Sequence, residues 1–186
     1  TLDFRRRAMT ILIGFLPFLI FAVVSTTHGA LAGLLAGAVV SAVLTVKAFR
    51  NKNEFRILDV GTLILFLALA IYVKLQGHDL SIFVVKFWVD IGLFVIAIAS
   101  MALRQPFTMQ FAHDQIDAKY WGSPKFQRKN YVMTGVWALI FLVMAGVEAI
   151  VGFGSDLSVT TGTVLVLIVL GFGIWFTKWF PTRSSS

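Results

Sequence analysis

Residues 80–103 read LSIFVVKFWVDIGLFVIAIASMAL. A helix rises about 1.5 Å per residue, so this stretch outreaches the roughly 30 Å hydrocarbon core of a bilayer. Only Lys86 and Asp90 interrupt it with charge. Five further apolar runs of comparable length flank it, at residues 8–25, 30–49, 57–75, 131–153 and 159–180. The reading is an all-α polytopic membrane protein. It forms one transmembrane domain over residues 1–186, a six-transmembrane-helix bundle with residues 105–130 as a cytoplasmic loop.

Composition agrees. Of 186 residues, 58% are hydrophobic and 13% charged, and the mean hydropathy is +0.87. An ordinary soluble domain is about 45–50% apolar and about 25% charged. A soluble enzyme, a secreted disulfide domain and a disordered chain are excluded. There is no cysteine, hence no disulfide, thiolate metal site or cysteine nucleophile. The net charge of +7 gathers at span ends, where anionic lipid headgroups are its partner rather than nucleic acid.

Six spans place both termini on one side, and the basic residues say which. Fourteen of the lysines and arginines fall on one side: Arg5, Arg6 and Arg7; Lys47, Arg50, Lys52 and Arg56; Arg104, Lys119, Lys125, Arg128 and Lys129; Lys178 and Arg183. Only Lys74 and Lys86 fall on the other. Lysine and arginine accumulate in cytoplasmic loops, so both termini are expected in the cytoplasm. Tyr120, Trp121, Tyr131 and Trp179 fall at that boundary and Tyr72 near the outer one, levels that suit rings with one wet end. The first apolar run lacks a small-residue cleavage site and reads as a retained span. Residues 182–186 read as a tail.

Thr26-Thr27-His28-Gly29 and residues 154–158 are tight outer turns. In the long fourth connection, Phe107, Phe111 and Tyr120 with His113, Asp114 and Asp117 predict a short amphipathic helix lying on the membrane surface. Ser123-Pro124 has the form of an N-cap followed by proline at the first helical position.

The second span steps through Gly29, Gly33, Gly37, Ser41 and Thr45 at intervals of four. Such a stripe lets backbones approach closely, either against the first or third span or as a homodimer seam. Gly14 and Pro17 interrupt the first span; proline frees the carbonyl of Ile13, giving a kink or a broken helix lining a site. Phe49-Arg50-Asn51-Lys52-Asn53 resembles Phe126-Gln127-Arg128-Lys129-Asn130, 77 residues on. This is either a trace of duplication or two basic, capped entrances to odd-numbered spans.

No phosphate-binding loop, zinc-protease helix or Ser/His/Asp set is present. His28, His78 and His113 lie at span ends or in loops, where interfacial histidines are commoner than haem ligands. Charges inside the membrane carry more information, because they are costly there and are paired or functional. Lys86 lies about 9 Å and Asp90 about 15 Å inside the outer start of the fourth span, and Glu148 about 7.5 Å inside the outer end of the fifth. Lys86 and Asp90 share a helix face. These three are expected to form one buried cluster with Lys74 at its mouth. It is either a neutralising network or a proton- or solute-binding site with Asp90 titrating.

Several short motifs resemble the intracellular septation protein A (YciB-type) family of bacterial inner-membrane proteins. They are Gly14-Phe15-Leu16-Pro17, the basic end of the second span at Lys47 and Arg50, Arg104-Gln105-Pro106-Phe107, and Trp121 and Pro124 leading to Trp137-Ala138-Leu139-Ile140-Phe141. The pattern departs at the entrance of the fourth span, where only Lys86 and Trp88 stand near the family's tryptophan-lysine-proline-threonine. It departs also at Glu148, where asparagine is expected, and Asp90 has no counterpart. The resemblance implies a non-enzymatic role in cell-envelope maintenance or division, through contacts with other membrane proteins and without a cofactor. The residues themselves leave open a small proton- or solute-coupled transporter or channel, and an accessory subunit of a larger membrane complex.

Overall fold

In hydrocarbon the backbone can satisfy its polar groups only inside a helix or a closed barrel, and the described residues hold helices and no strand. The computed structural model describes residues 2–52, 56–76, 80–113, 118–154 and 157–183, with side chains over 14–50, 56–76, 80–113, 119–154 and 157–180. Asn53, His78, Asp114, Asp117, Ser155 and Asp156 lie outside the described residues, as do the side chains of Arg5, Arg6, Arg7, Lys52 and Arg183.

Seven α-helices follow one another: α1 (Leu2–His28), α2 (Ala30–Lys52), α3 (Ile57–Gln76), α4 (Ile82–Ala102), α5 (Phe107–His113), α6 (Pro124–Gly152) and α7 (Val159–Arg183), with a 3-10 turn at Ala118–Tyr120. Five of them, α2, α3, α4, α6 and α7, are long and apolar enough to cross a membrane. The part of α1 described to its side chains, Gly14–His28, is a shorter apolar helix. Among the described residues the count is therefore five, where six were expected. The surface supports a membrane environment: Val39, Ile64, Ile71, Leu139, Ile168 and Phe172 are exposed, while Asp59, Thr62, Asp90, Thr134 and Glu148 are buried. A soluble protein would arrange these the other way round.

The long helices pack in chain order, α1 on α2, α2 on α3, α3 on α4, α4 on α6 and α6 on α7. Glycines make the close approaches. A Cβ on Gly33 would lie 2.8 Å from the Phe21 carbonyl oxygen and 2.7 Å from Ser25 Cβ. One on Gly37 would overlap the buried Phe66 ring. Gly61 accepts Ile96 and Gly92 accepts Leu65, a reciprocal pair that locks α3 to α4. Ser41 is fully buried. Gly33 and Gly37 thus face α1 and α3 within the chain and are not free to form a homodimer seam. Gly29 is not a packing residue: its φ is +87° and no atom lies within 4 Å of where its Cβ would be. It makes the α1–α2 turn, where a left-handed backbone favours glycine.

Three other expectations change. α1 continues unbroken through the buried Pro17, so the broken-helix reading fails. The apolar face of α5 is turned into the bundle rather than outward, with Phe107 and Phe111 buried, Phe111 against Gly14. From there Gln110 Oε1 accepts from the Ile57 N–H at the start of α3 (2.8 Å). Residues 49–52 close α2, whereas residues 126–130 lie in the opening turns of α6. Phe49 is exposed and Phe126 buried, so the two similar stretches do not occupy equivalent places. α6 starts at Pro124, before the expected span, with the Ser123 hydroxyl accepting from the Phe126 N–H (3.3 Å).

α4 ends in a Schellman turn. The Gln105 N–H bonds to the Ser100 carbonyl (2.9 Å) and the Arg104 N–H to that of Met101 (3.0 Å). The left-handed residue of that motif is normally glycine, but here it is Arg104, with φ +59°. The strain is of order 1 kcal/mol. Arg104→Gly should raise stability by about that amount, read by steric trapping in bicelles, without moving the turn.

Candidate intramembrane carboxyl site

α4 and α6 form the most extensive helix pair, and their register follows from Gly152. A Cβ there would lie 3.0 Å from the Val84 nitrogen, so the two backbones nearly touch. One turn before Gly152 comes Glu148. Side chains lean toward the N-terminus of their own helix. On antiparallel helices Asp90 and Glu148 therefore lean toward each other, close enough for their carboxyl groups to interact. Glu148 is 2% exposed and Asp90 5%. Two carboxylates cannot both stay charged side by side in a buried site, so the pair holds one proton between them. Asp90 Oδ2 and Glu148 Oε2 are buried without a partner.

Lys86, one turn from Asp90, is close enough to act electrostatically on both carboxyls. Its ammonium lies over the Phe83 ring, 5.2 Å from the centroid. With one shared proton, the carboxyl pair and Lys86 sum to zero charge. The structure does not bring Lys74 to this group: it is exposed in the last turn of α3 and lines no cavity described here.

The carboxyls face a cavity of about 300 Å³ between α1, α4, α6 and α7. Phe15, Phe18, Phe21, Phe83 and Phe141 supply rings to its wall. Lys86 lies along it with the carboxyls, and Lys178 also lines it. The lining residues Leu19 and Leu167 are exposed, so the wall continues onto the lipid-facing surface between α1 and α7. These are the first and last of the long helices, and neither packs extensively on the other.

A smaller cavity of about 120 Å³ lies between α1, α5, α6 and α7, beside Gly14, Thr108, Asn130 and Thr177. Phe15 lines both cavities. It packs on Trp137 at 4.8 Å between ring centroids, and Trp137 in turn on Phe141 at 5.6 Å. Trp137 is held by its indole N–H, which donates to Thr177 Oγ1 (3.0 Å). Thr177 donates onward to the Gly173 carbonyl (2.8 Å). This aromatic layer separates the two cavities.

The remaining residues singled out from the sequence take other places in the fold. Pro106 is buried behind the Arg104 turn, Trp121 stacks on His113 at 3.9 Å, and Pro124 opens α6. His28 is exposed at the end of α1. Among the described residues no three His, Asp or Glu side chains converge as a metal ion would need. The sequence reading missed Lys178, the aromatic wall and a polar seam between α2 and α3. In that seam Ser41 Oγ and Thr62 Oγ1 are buried without a partner, and Asp59 is buried beside Arg56. Helical spacing was the available signal: Phe15, Phe18 and Phe21 repeat at three, and Asp59, Thr62 and Phe66 at three and four. No family model, curated protein or solved structure matches the chain.

Proposed function

We propose that the protein is a small proton-linked transporter of the bacterial inner membrane, with six spans and both termini cytoplasmic. The observation that carries this reading is the pair of buried carboxyls, Asp90 and Glu148, on the wall of a cavity that reaches the lipid-facing surface. The length of α1, 27 residues, supports a sixth span. The gathering of basic residues where the chain connects α2 to α3 and α4 to α6 supports the orientation, with anionic lipid against that face.

Reconstitution tests it. Proteoliposomes under an imposed pH gradient are offered lipophilic cations, organic anions and neutral amphiphiles. At least one class should move against its gradient, and Asp90→Asn should abolish that movement. No movement of any class, or undiminished movement in Asp90→Asn, would overturn the reading.

A second reading, contact with other membrane proteins in envelope maintenance as in the septation protein A family, draws on α7. That helix exposes Val164, Ile168, Phe172 and the stacked pair Trp175 and Trp179. Co-purification of a defined partner or a second copy in mild detergent, lost on Trp175→Ala, would support it. A lone monomer would not.

A further inference from the structure

We infer that the cavity beside Asp90 and Glu148 binds a lipophilic monovalent organic cation, admitted from the bilayer between α1 and α7 and held in place of the shared proton. This names the substrate class of the site proposed above and rests on the transport reading for its purpose. Charge balance is the first argument. The groups facing the cavity are Lys86 and Asp90 from α4, Glu148 from α6 and Lys178 from α7. The cavity residues of α1 are Phe15, Phe18, Leu19, Phe21 and Ala22, all uncharged. With one proton on the pair, the three groups deep in the bundle are neutral together. A cation entering as that proton leaves keeps them neutral, whereas an anion would have to bring a second proton onto the pair to do so.

The wall is the second argument. Aromatic faces attract cations, more so where water is excluded, and five phenylalanines line the cavity. Lys86 already displays this chemistry over Phe83. A volume of about 300 Å³ lies at the lower end of ligand pockets, which span roughly 300–1,000 Å³. Lys178 would repel a cation approaching from its end of the cavity. The exposed Leu19 and Leu167 leave the lateral route apolar, which demands a lipophilic ligand.

Tetraphenylphosphonium and tetraphenylborate share size and shape and differ in the sign of charge, so wild-type protein suffices for the test. In detergent, calorimetry in buffers of different ionisation enthalpy should show the phosphonium binding with release of about one proton. Its affinity should rise about tenfold per pH unit while the pair remains protonated. Tetraphenylborate should not bind, and Glu148→Gln should lose the proton release. Equal binding of the borate, binding of the phosphonium without proton release, or no phosphonium binding would overturn the inference. In the last case, gradient-driven movement of an anion or neutral amphiphile would leave the transport reading standing. Phosphonium binding with proton release but without flux in proteoliposomes would support the cation site and overturn transport.

Discussion

Glu148→Gln should leave the protein folded and bring proton-driven transport to background. The amide can still donate to Asp90, so the contact between α4 and α6 survives, but it cannot exchange a proton. Glu148→Ala removes the partner as well. It leaves Asp90 buried at 5% exposure, at a cost of about 3 kcal/mol. The two variants therefore separate roles. If the pair were structural only, glutamine would be silent in both assays and alanine would lower stability. On the present account glutamine is silent in stability and null in flux. Steric-trapping stability and proteoliposome flux, measured on the same two variants, decide between these.

Gly33→Leu is expected to have the largest effect on folding. Its Cβ would fall 2.8 Å from the Phe21 carbonyl oxygen and 2.7 Å from Ser25 Cβ. Ser25 is itself held there, its hydroxyl donating to that same Phe21 carbonyl. A backbone oxygen on a packed helix cannot move aside as a flexible side-chain tip can, so α1 must separate from α2. Overpacking of this kind costs about 3 kcal/mol. α1 supplies Phe15, Phe18 and Phe21 to the cavity wall, so transport should fall with stability. The exposed neighbour Leu35 is the control, with Leu35→Ala changing stability by about 0.5 kcal/mol.

What composition and spacing could reveal was decided by which physical quantity each feature depends on. Residues 57–75 became α3 (Ile57–Gln76) and residues 80–103 became α4 (Ile82–Ala102), because apolar length is read directly from sequence. Phe107 and Phe111 show only that one face of α5 is apolar. Whether that face meets lipid or Gly14 depends on how the bundle closes, and it meets Gly14. Depth along a span is also readable, and it brought Lys86 and Glu148 to comparable levels, with Asp90 one turn from Lys86. Direction around the helix axis is not set by depth, which is why Lys74 was expected at the cluster and is exposed elsewhere. Gly29 and Gly33 share one spacing but not one role, since only the turn geometry distinguishes φ +87° from a close approach.

The proton shared by Asp90 and Glu148, and its departure when a cation arrives, carry the proposed exchange. Infrared difference spectroscopy of the membrane-reconstituted protein, with and without tetraphenylphosphonium, observes both. A protonated-carboxyl carbonyl band should be present without the cation, shift in deuterated water and disappear on cation binding. It should be missing from the Asp90→Asn, Glu148→Gln double variant. A spectrum with no such band, or a band that the cation leaves unchanged, would contradict the account.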